Sequence, residues 1–176
     1  MFRKILVAVN NTEIGRQVFE QALCLATLTN AELMLLQVIS PFNDDYQNTS
    51  EMETHSRYAS SQIHSVQYYV GQWELLKQQG VEFLTLLTNQ AIAKGVAAEF
   101  TQELGDPSRM ICEVARNWNA DVIVIGRRGL SGISELFLGS VSNYVLHHAP
   151  CSVLTVQGAI SVTTDTPTTT STVPTT

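Results

Sequence analysis

Four small residues make the strongest case for chemistry in this chain: Gly126 and Gly129 and, nine residues further on, Gly139 and Ser140. The first pair follows the run Asp-Val-Ile-Val-Ile at 121–125, which reads as a short buried strand closed by a glycine turn. The second pair precedes residues 141–146, which read as the opening of a helix. Glycine lets a backbone approach phosphate oxygens closely. The first N–H groups of a helix are unpaired donors at the positive end of its dipole. Together the two halves could cradle an anion. Taken alone, the glycines are equally compatible with two ordinary turns, so the elements around them decide.

The chain has 176 residues, the length of one domain with a substantial core. Its formal net charge of −6 argues against a nucleic-acid or anionic-membrane surface, because such binding rests on Lys and Arg neutralising phosphates. A single bound nucleotide needs only local donors and is not excluded. No apolar run approaches the roughly 20 residues of a membrane helix. The basic, then apolar, start at residues 1–9 runs into Asn10, Asn11, Thr12 and Glu13 with no small-residue cleavage site. It reads as a first strand, with the cytoplasm as the expected location. Cys24, Cys112 and Cys151 form no C-x-x-C pair and read as small buried residues rather than a disulfide or zinc framework.

The elements that must position the motif alternate. Residues 5–9 form a short apolar run, consistent with a strand covered on both faces. A helix starting near Thr12 keeps Val18, Ala22, Leu25 and Ala26 in period, and Asn30 is a stop. A second strand is expected at 32–39. A helix resumes between Gln62 and Gln72 and runs to about Lys94, with Gly80 a weak point inside it. A third and more polar strand is expected at 96–101, at a sheet edge. Asp106 and Pro107 mark a helix start as cap and first residue. The fourth strand lies at 121–125, and a fifth at 151–156 follows a helix ending near His148.

This order implies an α/β fold: one doubly wound, five-stranded parallel sheet with helices on both faces. In such sheets ligands bind beyond the carboxyl ends of the strands, where strand order reverses. If the order reverses between strands one and four, the turns at Asn10 and Gly126 face one crevice. The domain is read as residues 1–158, with a polar excursion at 41–61. Residues 159–176 are nearly all Thr, Ser, Val and Pro and read as a disordered tail.

With these elements in place the chain resembles the universal stress protein family, in its ATP-binding subgroup, over residues 2–157. The family pattern G-x2-G-x9-G-S/T is met by Gly126, Gly129, Gly139 and Ser140. The Gly105-Asp106-Pro107 helix start and the closing stretch 149–154 support the match. The resemblance implies a Rossmann-like domain of the adenine-nucleotide alpha-hydrolase type that binds ATP, with AMP or cyclic AMP as alternatives and Mg2+ accompanying the nucleotide. It places Ala8, Val9, Asn10 and Val38 at the adenine and ribose end. Gly126 and Gly129 would lie along ribose and phosphates. Gly139, Ser140, Val141 and Ser142 would serve as phosphate donors. Arg127 and Arg128 either add charge to the phosphates or are solvated turn residues. The family usually carries Asp where this chain has Asn10, which loses the charge that would help hold a cation.

Familiar nucleotide enzymes bring parts that this sequence lacks. There is no G-x-x-x-x-G-K-S/T, and the first turn has no G-x-G-x-x-G. His147 and His148 are adjacent on a helix and diverge rather than converge on a metal. The leading reading is a stress-response regulatory module that holds ATP without efficient turnover. The alternatives are a slow ATPase or self-phosphorylating enzyme, and a nucleotide-free dimeric scaffold. The resemblance implies a homodimer formed through the closing strand, 152–156, whose apolar edge would otherwise be an aggregation hazard.

Overall fold

The structure, a computed structural model, describes residues 1–40, 62–127 and 139–157. The chain runs β1 (Lys4–Ala8), α1 (Glu13–Thr29), β2 (Glu32–Ile39), α2 (Gln62–Ala93), β3 (Ala98–Leu104), α3 (Pro107–Trp118), β4 (Val122–Arg127), α4 (Ser140–His148) and β5 (Ser152–Gln157). All strand pairs are parallel, in the order β3-β2-β1-β4-β5. The expected fold class and the reversal between β1 and β4 are therefore present.

Period-two alternation splits each central strand between two apolar layers. Ile5, Val7, Leu33, Leu35, Val122 and Val124 pack against Val18, Phe19 and Ala22 of α1 and Leu84 and Leu87 of α2. On the other face Leu6, Leu36, Ile123 and Ile125 meet Ile111, Cys112 and Ala115 of α3 and Val145 of α4. Helix ends follow the residues the sequence offers. Thr12 caps α1 and Asp106 caps α3, while Asn30 and Asn119 close those helices in the left-handed conformation.

Three expectations need correction. The third strand begins at Ala98 rather than 96, because Val96 turns back and its N–H bonds to the carbonyl of Ala91, closing α2. β4 does not stop at residue 125. It continues through Gly126 and Arg127, which pair in register with Val156 and Gln157 of β5. Cys24 is exposed, whereas Cys112 is buried and Cys151 half-buried. Burial pushes both of the latter thiols up and keeps them protonated.

Gly80 is not a weak point but a contact. A Cβ there would lie 2.1 Å from Gln37 Oε1 and 2.2 Å from Gln102 Nε2, so glycine lets α2 seat on this amide pair. Gln102 Nε2 donates to Gln37 Oε1 at 3.0 Å and to the Lys77 carbonyl at 3.1 Å, tying β2, β3 and α2 together.

At the amino-terminal edge of the sheet Asp121 accepts from the backbone N–H of Arg3 at 2.7 Å and of Lys4 at 2.9 Å. Those bonds, and then the Arg3 charge, hold its carboxyl below the ordinary value. A folded-state value below the unfolded one gives stability that is present above the ordinary carboxylate range and lost as pH falls through the folded value. Asp106, lowered by the Ser108 hydroxyl and the Arg109 N–H, acts in the same direction. Asp121→Asn is expected to flatten the acid limb of stability, read by urea unfolding between about pH 2 and pH 6. The slope that remains belongs to Asp106 and its like. An acid limb identical to the parent's would contradict this role for Asp121.

Candidate functional site

Order reverses between β1 and β4, which pair from Ile5↔Val122 to Ala8↔Ile125. The residues just beyond that register, Val9 and Asn10 on one side and Gly126 and Arg127 on the other, therefore flank the crevice at the carboxyl ends. The fold thus brings together two of the segments singled out from sequence.

The β1 turn is tightly built. The Thr12 N–H donates to the Asn10 carbonyl at 2.8 Å, and the Thr12 hydroxyl donates to Asn10 Oδ1 at 2.7 Å. The same hydroxyl accepts the Gly15 N–H at 3.2 Å, which is the cap of α1. Asn10 is exposed. Gly15 lies so close beneath it that a Cβ would stand 2.0 Å from the Asn10 carbonyl oxygen. Sequence reasoning named Thr12 only as a helix starter and missed Gly15. The Thr-x-x-Gly spacing was the available signal.

Ala8 and Val38 are partly buried in the apolar layer on the α3/α4 face, together with Val141 and Tyr144. Three predicted site residues, Ala8, Val38 and Val141, therefore share one side of the sheet. Val9 does not join them: it is 5% exposed, packs in the opposite layer, and donates its N–H to the Leu36 carbonyl at 2.9 Å. Strand alternation sends its side chain away from the α3/α4 face, so it supports the turn from behind.

The opening of α4 differs from those of α1 and α3. Gly139 occupies the N-cap position with no side-chain cap, and the Asn143 N–H closes on its carbonyl at 2.9 Å. The N–H groups of Ser140, Val141 and Ser142 are left without intrahelical acceptors, at the positive end of the helix dipole. Ser140 is exposed. Ser142 is 2% exposed, and its hydroxyl donates to the Gly139 carbonyl at 3.0 Å. That hydroxyl fixes the helix start, so of the donors expected from Ser142 only the backbone N–H remains. A serine at the third helical position was the sequence signal for this.

Gly126 also has a role that spacing did not reveal. A Cβ on it would lie 2.7 Å from Ile14 Cγ2 and 3.1 Å from Val18 Cγ2, so it is small because α1 crosses it. Arg127 is half-buried at the strand end. Arg128, Gly129 and the span 130–138 lie outside the described residues, as do the excursion 41–61 and the tail 159–176. Two concavities among the described residues lie elsewhere. One of about 120 Å³ sits between α1 and α2, and one of about 460 Å³ is lined by Gln17, Glu20 and Gln21 of α1 and residues 154–157 of β5. Neither contains a residue of the predicted site.

Among the described residues no three His, Cys, Asp or Glu side chains are grouped to hold a metal ion, and no helix is long and apolar enough to cross a membrane. His148 stacks on Tyr144 with ring centroids 4.0 Å apart, and its Nδ1 lies 2.9 Å from the Tyr144 carbonyl, a helix-end role.

Comparison with known proteins gives a consistent relation. The model of the universal stress protein family matches residues 1–157. Universal stress protein Sll1388 of Synechocystis sp. is 39% identical over 156 residues, covering 89% of this chain and 98% of the relative. Universal stress protein YxiE of Bacillus subtilis is 30% identical over 158 residues, covering 89% and 100%. Among solved structures, an Arabidopsis thaliana universal stress protein family protein with AMP bound superposes with a TM-score of 0.58 at 23% identity, covering 88% of this chain and 91% of that one. A universal stress protein in complex with cAMP gives 0.58 at 20% identity, covering 89% and 97%. At these identities the structural likeness establishes the fold, while the family model and the two sequence relatives establish descent: the chain belongs to the universal stress protein family.

Proposed function

We propose that the crevice between the β1 and β4 turns binds an adenine nucleotide, with ATP as the first candidate and AMP or cyclic AMP as alternatives. The observation that carries this reading is convergence at the reversal of strand order. There the exposed Asn10 turn faces the strand that leads into the glycine motif, and the helix after that motif opens uncapped at Gly139. Solved relatives carrying AMP and cAMP support the ligand class. Gly129 would bring the backbone to the ligand, and the N–H groups of Ser140, Val141 and Ser142 would receive phosphate. Ala8 and Val38 would form the apolar wall for the base. Asn10 is neutral, so Mg2+ would arrive on the phosphates rather than on a protein carboxylate.

The protein then works as a cytoplasmic regulatory module whose state depends on the nucleotide, without efficient turnover. Support comes from the missing P-loop lysine and from the absence of a carboxylate at Asn10. β5 lies at the sheet edge with Leu154 exposed, which supports a homodimer formed through residues 152–156.

Denaturing freshly purified full chain and identifying the released small molecule by mass spectrometry is expected to yield an adenine nucleotide. A co-purified molecule of another class would overturn the reading. Incubation with γ-labelled ATP is expected to leave the label on ATP over hours; released or protein-bound phosphate would favour the slow ATPase or self-phosphorylating alternative. Light scattering at micromolar concentration should report a dimer, and a monomer would refute the β5 interface.

A further inference from the structure

The orientation of Asn10 carries a consequence for ligand choice, which rests on the nucleotide reading above with the ribose edge at Asn10, as the family resemblance implies. Thr12 Oγ1 accepts the Gly15 N–H and donates its own proton to Asn10 Oδ1, 2.7 Å away. Oδ1 also lies 2.8 Å from where a Gly15 Cβ would be, which shows that this oxygen faces α1. The trigonal geometry of the amide then turns Nδ2 away from the helix, on the exposed side of the turn. Nδ2 has no hydrogen-bond partner among the described residues. The site therefore presents a donor at this position. An aspartate held by the same Thr12 bond would present an anionic acceptor instead.

We propose that Asn10 is a specificity-determining residue: its outward amide favours a nucleotide whose ribose edge carries an anionic oxygen, as in a 3′,5′-cyclic monophosphate, over one with a free 2′,3′-diol. The chemistry is direct. A carboxylate accepts hydrogen bonds from both hydroxyls of a diol and repels a phosphate oxygen. A fixed amide N–H₂ offers the diol only a neutral hydrogen bond, whereas to a phosphate oxygen it gives a charge-assisted one, roughly twice as strong. Thr12 is a positioning residue in this scheme, because its hydroxyl decides which end of the amide faces outward.

The test is calorimetric titration of the full chain and of Asn10→Asp, each with AMP and with cyclic AMP. The isosteric change is expected to raise the ratio of the cyclic AMP Kd to the AMP Kd by about tenfold or more, through weaker cyclic AMP binding. The added carboxylate also repels the more highly charged 5′-phosphate of AMP, which works against the expected change, so a rise in the ratio reports the contact at Asn10. Thr12→Val, which frees the amide to turn over, is expected to erode the preference, and Thr12→Ser to keep it. If both nucleotides bind and Asn10→Asp leaves the ratio within about twofold, this inference fails while the nucleotide reading stands. If the parent binds neither AMP nor cyclic AMP, this inference fails, and the nucleotide reading fails with it only when ATP does not bind either.

Discussion

Gly15→Ala is expected to lower stability by about 3 kcal/mol, the upper end for an added methyl in a packed site. The obstacle is backbone, not a side chain that can rotate away. The new Cβ would stand 2.0 Å from the Asn10 carbonyl oxygen, which is itself held by the Thr12 N–H. Relief requires α1 to withdraw from the β1 turn or the turn to open. Opening would also release the Thr12 bond to Asn10 Oδ1 and disorder the exposed Asn10 amide. Urea unfolding should show a lower midpoint with an unchanged m-value, and nucleotide affinity should fall with it. A variant within about 0.5 kcal/mol of the parent would mean that the turn adapts, and that Gly15 is not what sets it.

The second large effect belongs to Gly126→Val, at about 2 kcal/mol. Valine suits a parallel strand, so backbone preference is not the cause. The cause is contact with Ile14 and Val18, whose Cγ2 atoms lie 2.7 and 3.1 Å from the position of the added Cβ. Both are β-branched and stiff at χ1, so the helix must move. Trimming the obstruction should help: Gly126→Val with Ile14→Ala is expected to recover about 1 kcal/mol relative to the sum of the single changes. Strict additivity would contradict the packing account and return Gly126 to a role at the ligand alone.

These two glycines show what the sequence could and could not convey. Local chemistry was legible wherever its partners were local. Thr12, Asp106 with Pro107, and Asn30 mark helix ends because a cap acts over three or four residues. The alternation of apolar runs with helical stripes was enough to imply the parallel sheet, whereas the reversal between β1 and β4 entered only as a condition, which the strand order meets. What failed depended on distant neighbours. Gly126 reads as a turn because glycine weakens strands, yet here it pairs with Val156 in a ladder and makes room for α1. Gly80 reads as a flaw in a helix because Gln37 and Gln102, which it accommodates, are far away in the chain. Val96 is apolar enough for a strand but folds back to close α2.

The candidate site was legible in the same uneven way. Ala8 and Val38 share the α3/α4 side of the sheet, and Asn10 lies just beyond β1 next to the reversal of strand order. Val9 was assigned through the family resemblance, but strand alternation turns it to the other face. Ser142 was assigned by its hydroxyl, which instead bonds the Gly139 carbonyl and holds the helix start. In both cases the residue supports the site from within the fold. Sequence reasoning grouped these residues into one candidate site but could not tell exposed side chains from supporting ones.

The central claim is that the crevice at the β1 and β4 turns holds an adenine nucleotide, and its most direct test is isothermal titration of the full chain with ATP, AMP and cyclic AMP. Saturable binding of at least one of them at a single site per chain, weakened in parallel by Gly15→Ala, is the predicted result. Absence of saturation by any of the three up to millimolar ligand would contradict the claim.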